Sequence, residues 1–155
     1  MEARSPAVGA PGEAKVHEGR CHCGALALAF ETRRPLAPRA CQCAFCRKHS
    51  ARTVSDPEGR ATLSLAVPPG AAAYRFASRQ ADYLVCPSCG VYLGATIATD
   101  RGLFATLNLN AFDDPHWQLA AEPVSYDAQG ADEKRARRER LWTPAVMVAE
   151  ASGPE

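Results

Sequence analysis

The sequence lacks the long apolar runs that a membrane-spanning helix needs, although 46% of its 155 residues are hydrophobic. Residues 1–14 also lack the basic start and apolar stretch of a secretory signal. They are rich in Ala, Pro and Gly, so we expect them to be disordered, as we do residues 151–155. These absences predict a soluble protein of the cytoplasm.

A strong net charge and internal repeats are lacking as well. The formal net charge is only +1 with the histidines neutral. A nearly neutral protein has no bulk electrostatic attraction for nucleic acid, so we expect no nucleic-acid partner and no membrane partner. The length predicts one domain that buries roughly two-thirds of its unfolded surface.

The apolar pattern predicts a mainly β protein. Leu26, Leu28 and Phe30 alternate with small residues, as in a strand that is buried on one face. Similar patterns, bounded by Pro, Gly or charged turns, predict strands at 25–31, 61–67, 73–77, 82–85, 91–99 and 103–109. We expect these short strands to pair antiparallel.

One short C-terminal helix is predicted at 131–141. Asp132 and Glu133 fall in its first turn and basic residues in its later turns, which suits the helix dipole. Pro144 prevents the helix from continuing. We interpret the basic residues at 134–140 as a solvated helix face rather than as a nucleic-acid-binding surface.

Seven cysteines form three tight clusters, which carry most of the information on function. The clusters are Cys21 and Cys23, then Cys41, Cys43 and Cys46, then Cys86 and Cys89. Cysteines one or two residues apart cannot easily bridge to each other, but they can direct their sulfur atoms at one metal ion. In a reducing cytoplasm such clusters favour metal over disulfides, so the spacing predicts metal binding.

The cysteines divide most simply into one site of four thiolates and one of three. Four thiolates complete a tetrahedral structural zinc site, whereas three leave one coordination position open. Keeping every cluster whole assigns Cys21, Cys23, Cys86 and Cys89 to the first zinc and Cys41, Cys43 and Cys46 to the second. The alternatives are that the cysteines of one cluster are divided between the two sites, or that iron takes the place of zinc. Two zinc ions and seven thiolates would bring the net charge to about −2.

The second zinc is the candidate catalytic centre. With one position open, a zinc held by three thiolates can bind a substrate thiol and keep it as a thiolate that attacks an aldehyde. His49 lies three residues after Cys46 and is an alternative fourth ligand that would close the site. It can instead orient a ligand or contact the substrate. A further alternative is a weak site that loses its metal.

Charged residues near this cluster are candidates for other roles. Arg47, Lys48 and Arg52 can pair with the carboxylates of an acidic substrate. Asp56, Glu58 and His49 are candidate general bases.

The large aromatic residues are assigned to packing. We expect Trp117 and Trp142 to pack against the edges of the sheet. Tyr83 and Tyr92 flank the third cysteine cluster, and we expect them to pack in the core or around that cluster.

The clusters and their neighbours resemble the motifs of the glutathione-dependent formaldehyde-activating enzyme family, which also includes centromere protein V. The matching segments are Gly19 to Gly24, with the pattern G-x-C-x-C-G; Cys41 to Lys48, with C-x-C-x-x-C-R-K; and Cys86 to Leu93, with C-x-x-C-G-x-x-L. The resemblance extends over residues 16–144. It implies a zinc-binding domain at 15–146, folded as a β-tent of coiled antiparallel sheets stapled by zinc, and a C-terminal tail at 147–155.

The resemblance also implies an activity. Members of the family are described as carbon–sulfur lyases that join glutathione to formaldehyde, giving S-(hydroxymethyl)glutathione. By motif, the cysteines of the four-thiolate set match the structural zinc ligands and those of the three-thiolate set match the catalytic ones. The implied partners are a small thiol such as glutathione and an aldehyde, and the implied cofactor is two zinc ions per chain. The alternative hypothesis is a non-catalytic zinc-binding interaction module whose second zinc is saturated by protein groups.

Overall fold

Strands dominate residues 12–149, the part of the chain that this computed structural model describes. The strands are β1 (Lys15–Arg20), β2 (Leu26–Thr32), β3 (Arg39–Cys41), β4 (Thr53–Val54), β5 (Arg60–Leu65), β6 (Ala73–Tyr74), β7 (Ala81–Val85), β8 (Tyr92–Thr99), β9 (Gly102–Asn108), β10 (Glu122–Val124) and β11 (Thr143–Ala149). The helices are α1 (Ala44–Lys48), α2 (Pro69–Ala72) and α3 (Ala131–Leu141). The mainly β class and the short C-terminal helix are therefore confirmed, whereas α1 and α2 were not predicted.

The strands form one open sheet that branches at β9. One arm runs in the order β1-β2-β5-β11 and reaches β9 through β11. Beyond β9 this path continues through β4, β3 and β10, while β8 pairs with β9 and leads to β7 and β6. The predicted strands pair antiparallel with one another, as expected. Two further pairings, β11 with β5 and β10 with β3, are parallel and involve strands that were not predicted. The long connections between these strands permit the parallel direction.

The core lies along β2 and β5. Leu26, Leu28 and Phe30 of β2, and Leu63 and Leu65 of β5, are at most 4% exposed. Alternate residues of a strand point to the same face, and the register places Leu28 opposite Leu63 and Leu26 opposite Leu65. Burying each of these side chains contributes about 1.5–3 kcal/mol to folding.

Both ends of the described chain are paired in the sheet. β1 pairs with β2 along its whole length, although its mostly exposed residues show little apolar pattern. β11 continues to Ala149, whereas the tail was predicted to begin at 147; the strand persists because it pairs with β5 and Met147 packs against the core. Most of the predicted disordered segments fall on residues 1–11 and 150–155, which lie outside the described residues.

Helix α3 has the predicted bounds, but not all of its basic residues are exposed as predicted. Arg137 and Arg138 are 7% and 6% exposed, so their assignment to a solvated face is wrong. Their guanidinium groups lie over the rings of Tyr126 and Trp142, respectively. The charge pattern alone does not show which side of a helix meets the rest of the protein. Arg135 is exposed, as predicted.

The two tryptophans differ in their surroundings. Trp142 is 7% exposed, whereas Trp117 is 83% exposed, so the prediction that Trp117 packs against a sheet edge is wrong. Trp117 lies in the segment between β9 and β10, outside any strand or helix. In the described part of the chain no helix is long and apolar enough to span a membrane.

Candidate metal centres

The first candidate centre joins two turns that are far apart in the sequence. Cys21 and Cys23 lie between β1 and β2, and Cys86 and Cys89 lie between β7 and β8. Their four sulfur atoms lie within 4.8 Å of one another, and we call this group the four-cysteine centre. Cys21 and Cys86 are almost fully buried, whereas Cys23 is exposed.

Glycines allow both turns to fold back on themselves. Gly24 and Gly90 each follow the second cysteine of their turn, with φ of 86° and 80°. Residues with a Cβ rarely adopt this left-handed backbone conformation. In the first turn, the Cys21 N–H donates to the carbonyl of Leu26, and the Leu26 N–H lies 3.3 Å from Cys21 Sγ. Burial raises the pKa of Cys21 to about 12 although the Leu26 amide favours the thiolate, so a bound cation would be needed to hold the thiolate form at neutral pH.

The second candidate centre is built within one short segment. Cys41 ends β3, Cys43 is the N-cap of α1, and Cys46 lies inside α1. Their three sulfur atoms lie within 4.8 Å of one another, and we call this group the three-cysteine centre. The Cys46 N–H donates to Cys43 Sγ at 3.4 Å. The centre forms because a strand ends directly before the first turn of a helix, and β10 holds that strand by pairing Val124 with Cys41.

His49 does not belong to the three-cysteine centre. Among the described residues, the group of ligating atoms consists of the three cysteines alone. His49 is the C-cap of α1, and its ring centroid lies 4.5 Å from that of Phe45 and 5.6 Å from that of Tyr92. The ring packs among aromatic side chains, and this arrangement does not support His49 as a fourth ligand.

The sulfur spacing in the four-cysteine centre fits a metal ion. A tetrahedral zinc with Zn–S bonds of about 2.3 Å needs sulfur atoms about 3.8 Å apart, whereas a disulfide needs about 2.05 Å. The Sγ atoms of Cys21 and Cys23 are 3.7 Å apart, and those of Cys23 and Cys86 are 3.5 Å apart. None of the seven cysteines forms a disulfide. The cluster therefore matches a metal site and not a pair of disulfides.

The three-cysteine centre needs a cation in order to carry its full charge. Hydrogen bonds from the thiols of Cys41 and Cys46 hold the pKa of Cys43 well below its usual range. Contacts with the sulfurs of Cys41 and Cys43, together with burial, raise the pKa of Cys46 far above it. Negative charge thus collects on one sulfur, because adjacent thiolates repel one another. A divalent cation removes this restriction, so the donor set fits a metal ion.

Two cavities lie beside α1. The larger one, of ≈ 400 Å³, is bordered by Phe45, His49 and Tyr74 and by no cysteine. The smaller one, of ≈ 50 Å³, is lined by Cys41 and Cys46. The three-cysteine centre therefore opens onto the smaller cavity.

Arg52, a predicted substrate-binding residue, has its donors engaged by protein groups. Its Nε donates to Asn110 Oδ1 at 2.9 Å, and its Nη1 donates to the carbonyls of His116 and Leu119 at 3.1 and 2.9 Å. These contacts fasten the segment that follows β9 to the loop that follows α1. They give Arg52 a structural role, and substrate binding by this residue stays a prediction.

The other charged candidates differ in exposure. Arg47 and Lys48 are exposed beside the three-cysteine centre, and their role in substrate binding stays a prediction. Glu58 is exposed as well, whereas Asp56 is 2% exposed and accepts a hydrogen bond from Thr32 Oγ1 at 2.5 Å. Neither carboxylate lines either cavity, so the structure gives no support to a general base among them.

The smaller cavity has a lining that no sequence pattern predicted. Arg39, Arg137, Tyr83, Tyr126 and Trp142 all contribute to it. Burial raises the pKa of Tyr83 to about 12, so its phenol is a hydrogen-bond donor at neutral pH. These residues come from separate strands, a loop and α3, and no sequence motif connects them. The only sequence signal near the site is the arginine-rich pattern of α3, and that pattern by itself predicts a solvent-exposed helix face.

Together, these features define a small β protein with two cysteine clusters that could each hold a metal ion, one of four potential ligands and one of three beside a cavity. The sequence model of the family described as glutathione-dependent formaldehyde-activating enzyme matches residues 16–126, most of the chain. The protein therefore belongs to this family.

Other comparisons add little. None of the curated proteins is similar enough to match. A crystal structure of a Rhodobacter sphaeroides protein is 24% identical, over 70% of this chain and 99% of that chain, with a TM-score of 0.47. At that TM-score the likeness supports neither the fold nor a function.

Proposed function

We propose that the protein is a zinc-dependent enzyme of the carbon–sulfur lyase type that joins a small thiol to an aldehyde. Glutathione and formaldehyde, which give S-(hydroxymethyl)glutathione, are the pair that the family description favours. The cytoplasm suits this activity, because the cysteine clusters must stay reduced.

The difference between the two centres is the observation that carries the proposal. The four-cysteine centre has a full set of ligands for one zinc, whereas the three-cysteine centre is one ligand short and opens onto a cavity. Structural zinc sites are closed and catalytic ones keep a position open. We therefore assign Cys21, Cys23, Cys86 and Cys89 to a structural zinc and Cys41, Cys43 and Cys46 to a catalytic one.

Zinc at the three-cysteine centre would supply a Lewis acid that favours the thiolate form of a substrate thiol near neutral pH. The protein residues around it orient the reactants. Cys41 and Cys46 present the metal site to the cavity, and Tyr83 lines the same space as a protonated phenol that can donate a hydrogen bond to the aldehyde oxygen. As the S–C bond forms, the C=O π bond breaks, and the proton that left the thiol ends on the oxygen. Holding the two reactants beside the three-cysteine centre lowers the entropic cost of this addition.

The direct test measures adduct formation with protein that carries two zinc ions per chain. Exchange between free and thiol-bound formaldehyde is followed by NMR, with the uncatalysed rate as the reference. We expect acceleration by the native protein and none by Cys43→Ser, which removes one ligand of the three-cysteine centre. Ala44→Ser is the matched control, because it places a hydroxyl at the next, exposed position without touching a ligand.

Lack of acceleration by fully metal-loaded protein, across several thiols and aldehydes, would contradict the proposal. Zinc-edge absorption gives an independent measurement. Three sulfur donors and one lighter or added donor at the second zinc support an enzyme, while four protein donors support a non-catalytic module.

A further inference from the structure

Two buried arginines of α3 have no acidic partner. Arg137 and Arg138 are 7% and 6% exposed. The ion pairs found among residues 12–149 include neither of them, nor Arg39. Because an unpaired buried charge is costly, such groups in folded proteins are normally paired or bound to a ligand.

Aromatic and neutral groups hold both guanidinium groups in place. The guanidinium carbon of Arg137 lies 3.4 Å from the ring centroid of Tyr126, and its Nη1 donates to Gln129. The guanidinium carbon of Arg138 lies 5.2 Å from the ring centroid of Trp142. The Nε and Nη1 atoms of Arg138 are buried, and no described group accepts a hydrogen bond from them. Buried donors without an acceptor are rare in folded proteins, so a water or ligand oxygen is expected beside these two atoms.

The cavity beside the three-cysteine centre lies next to these arginines. Arg39 and Arg137 line it together with two of the cysteines. Arg138 contacts a further lining residue, with Nη2 3.5 Å from Tyr83 Oη. The cavity volume of ≈ 50 Å³ holds about one or two water-sized groups. It suits the charged end of a ligand and not a whole peptide.

The balance of charge around the cavity favours an anion. Three thiolates around a divalent cation carry one net negative charge. Arg39, Arg137 and Arg138 contribute three positive charges, so positive charge remains in excess with metal bound. Burial lowers the pKa of Arg137, which reflects the cost of holding its charge there. A bound anion would offset that cost.

We propose that this cavity binds a carboxylate of the substrate and thereby holds the substrate beside Cys41 and Cys46, an inference that rests on the proposed function. The planar fork of a guanidinium matches the two oxygens of a carboxylate. Arg137 and Arg138 lie beyond residues 16–126, so the family match does not include them. The carboxylate comes either from the thiol, as in glutathione, or from the aldehyde, as in glyoxylate.

Binding of unreactive carboxylates tests this site without turnover. The probes are acetate and S-methylglutathione, titrated into zinc-loaded protein by calorimetry and by the fluorescence of Trp142, which lines the cavity. Arg137→Met is expected to weaken binding about tenfold or more. Arg135→Met is the matched control, because it removes the same charge from an exposed position of the same helix. Equal affinity in the two variants overturns the proposal, and so does tighter binding of inorganic phosphate than of either carboxylate.

Zinc content separates anion binding from simple charge compensation. Loss of zinc from the three-cysteine centre in Arg137→Met, with acetate affinity unchanged, overturns the proposal. Retained zinc with lost acetate affinity supports it. Arg137→Lys keeps the charge but not the guanidinium fork, and intermediate affinity is expected if this second variant folds as the native protein does.

Kinetic comparisons identify which reactant carries the carboxylate. If the thiol supplies the carboxylate, Arg137→Met should raise KM for glutathione but not for cysteamine. If the aldehyde supplies it, the same change should raise KM for glyoxylate but not for formaldehyde. If Arg137→Met still accelerates adduct formation and no KM changes in any of these comparisons, the carboxylate site is overturned and the proposed function stands. If carboxylate binding depends on Arg137 but the native protein does not accelerate adduct formation, the proposed function is refuted and the carboxylate site stands.

Discussion

The four-cysteine and three-cysteine centres use the same ligand type but connect different parts of the chain. Cys23 and Cys86 are 63 positions apart in sequence, with sulfur atoms 3.5 Å apart. Cys41, Cys43 and Cys46 come from a single strand end and the helix that follows it. A metal ion that closes a long loop stabilises the fold more than one that closes a short loop. This difference agrees with the proposed assignment of a structural zinc to the four-cysteine centre and a catalytic zinc to the three-cysteine centre.

The largest effect is expected at the four-cysteine centre. Cys21→Ser removes a fully buried ligand, and we expect the protein to lose its cooperative fold. Structural zinc contributes about 10–16 kcal/mol to the folding of small zinc-finger peptides, which exceeds the usual net stability of about 5–15 kcal/mol. Circular dichroism melts with zinc content measured in parallel check this. A cooperative melt that a strong chelator leaves unchanged would remove the structural role.

A change at the three-cysteine centre should preserve the fold and abolish the activity. Cys43→Ser is expected to lose one zinc ion per chain while the melt stays cooperative, because the ligands it disrupts all lie within one short segment. A chelator should likewise release zinc in two steps, first from the three-ligand centre, with the fold intact after the first step. Zinc release is followed with a chromophoric chelator alongside circular dichroism. Simultaneous release of both ions with unfolding would break the distinction between the centres.

Arg52 tests whether the loop beside the three-cysteine centre has a structural or a substrate-binding role. Arg52→Met removes three hydrogen bonds, and we expect a loss of about 2 kcal/mol in the free energy of unfolding. Lys48→Met, at an exposed position, is the comparison variant with little expected effect on stability. Urea unfolding measures both. Unchanged stability together with a raised KM for the thiol would assign Arg52 to the substrate instead.

The smallest effect concerns His17 in β1, the strand that ends just before Cys21. Burial, together with the neighbouring charges of His116 and Lys15, lowers the pKa of His17 below its usual 6.5. The folded protein then binds fewer protons than the unfolded chain, so stability is full above about pH 6.5 and falls as the pH drops through that value. We expect the free energy of unfolding, measured with urea, to fall between about pH 7.5 and about pH 5.5. This decrease should be slightly smaller in His17→Gln than in the native protein. An equal loss in both would show that this strand is not the source of the acid sensitivity.

Some features of the fold could be predicted from local sequence patterns, and others depended on contacts between distant segments. The helix at 131–141 has the predicted bounds, since end charges and a following proline are local. The strand β1 was missed because only one of its residues is buried. Parallel pairing of β11 with β5 was missed as well, since the partner of a strand is chosen by the packing of the whole sheet. In the candidate site, the cysteine groups matched the spacing, whereas Tyr83 and Arg137 carried no local pattern that placed them beside Cys46.

By itself, the sequence determined which cysteines can act together, because the reach of neighbouring thiols depends on a few bonds of backbone and needs no distant contact. Only the tertiary structure decided that Arg39 and Arg137 line the same cavity as Cys41 and Cys46. Burial of a charged side chain depends on which face of α3 meets the sheet. That choice follows from the summed packing of many residues, which no single segment encodes.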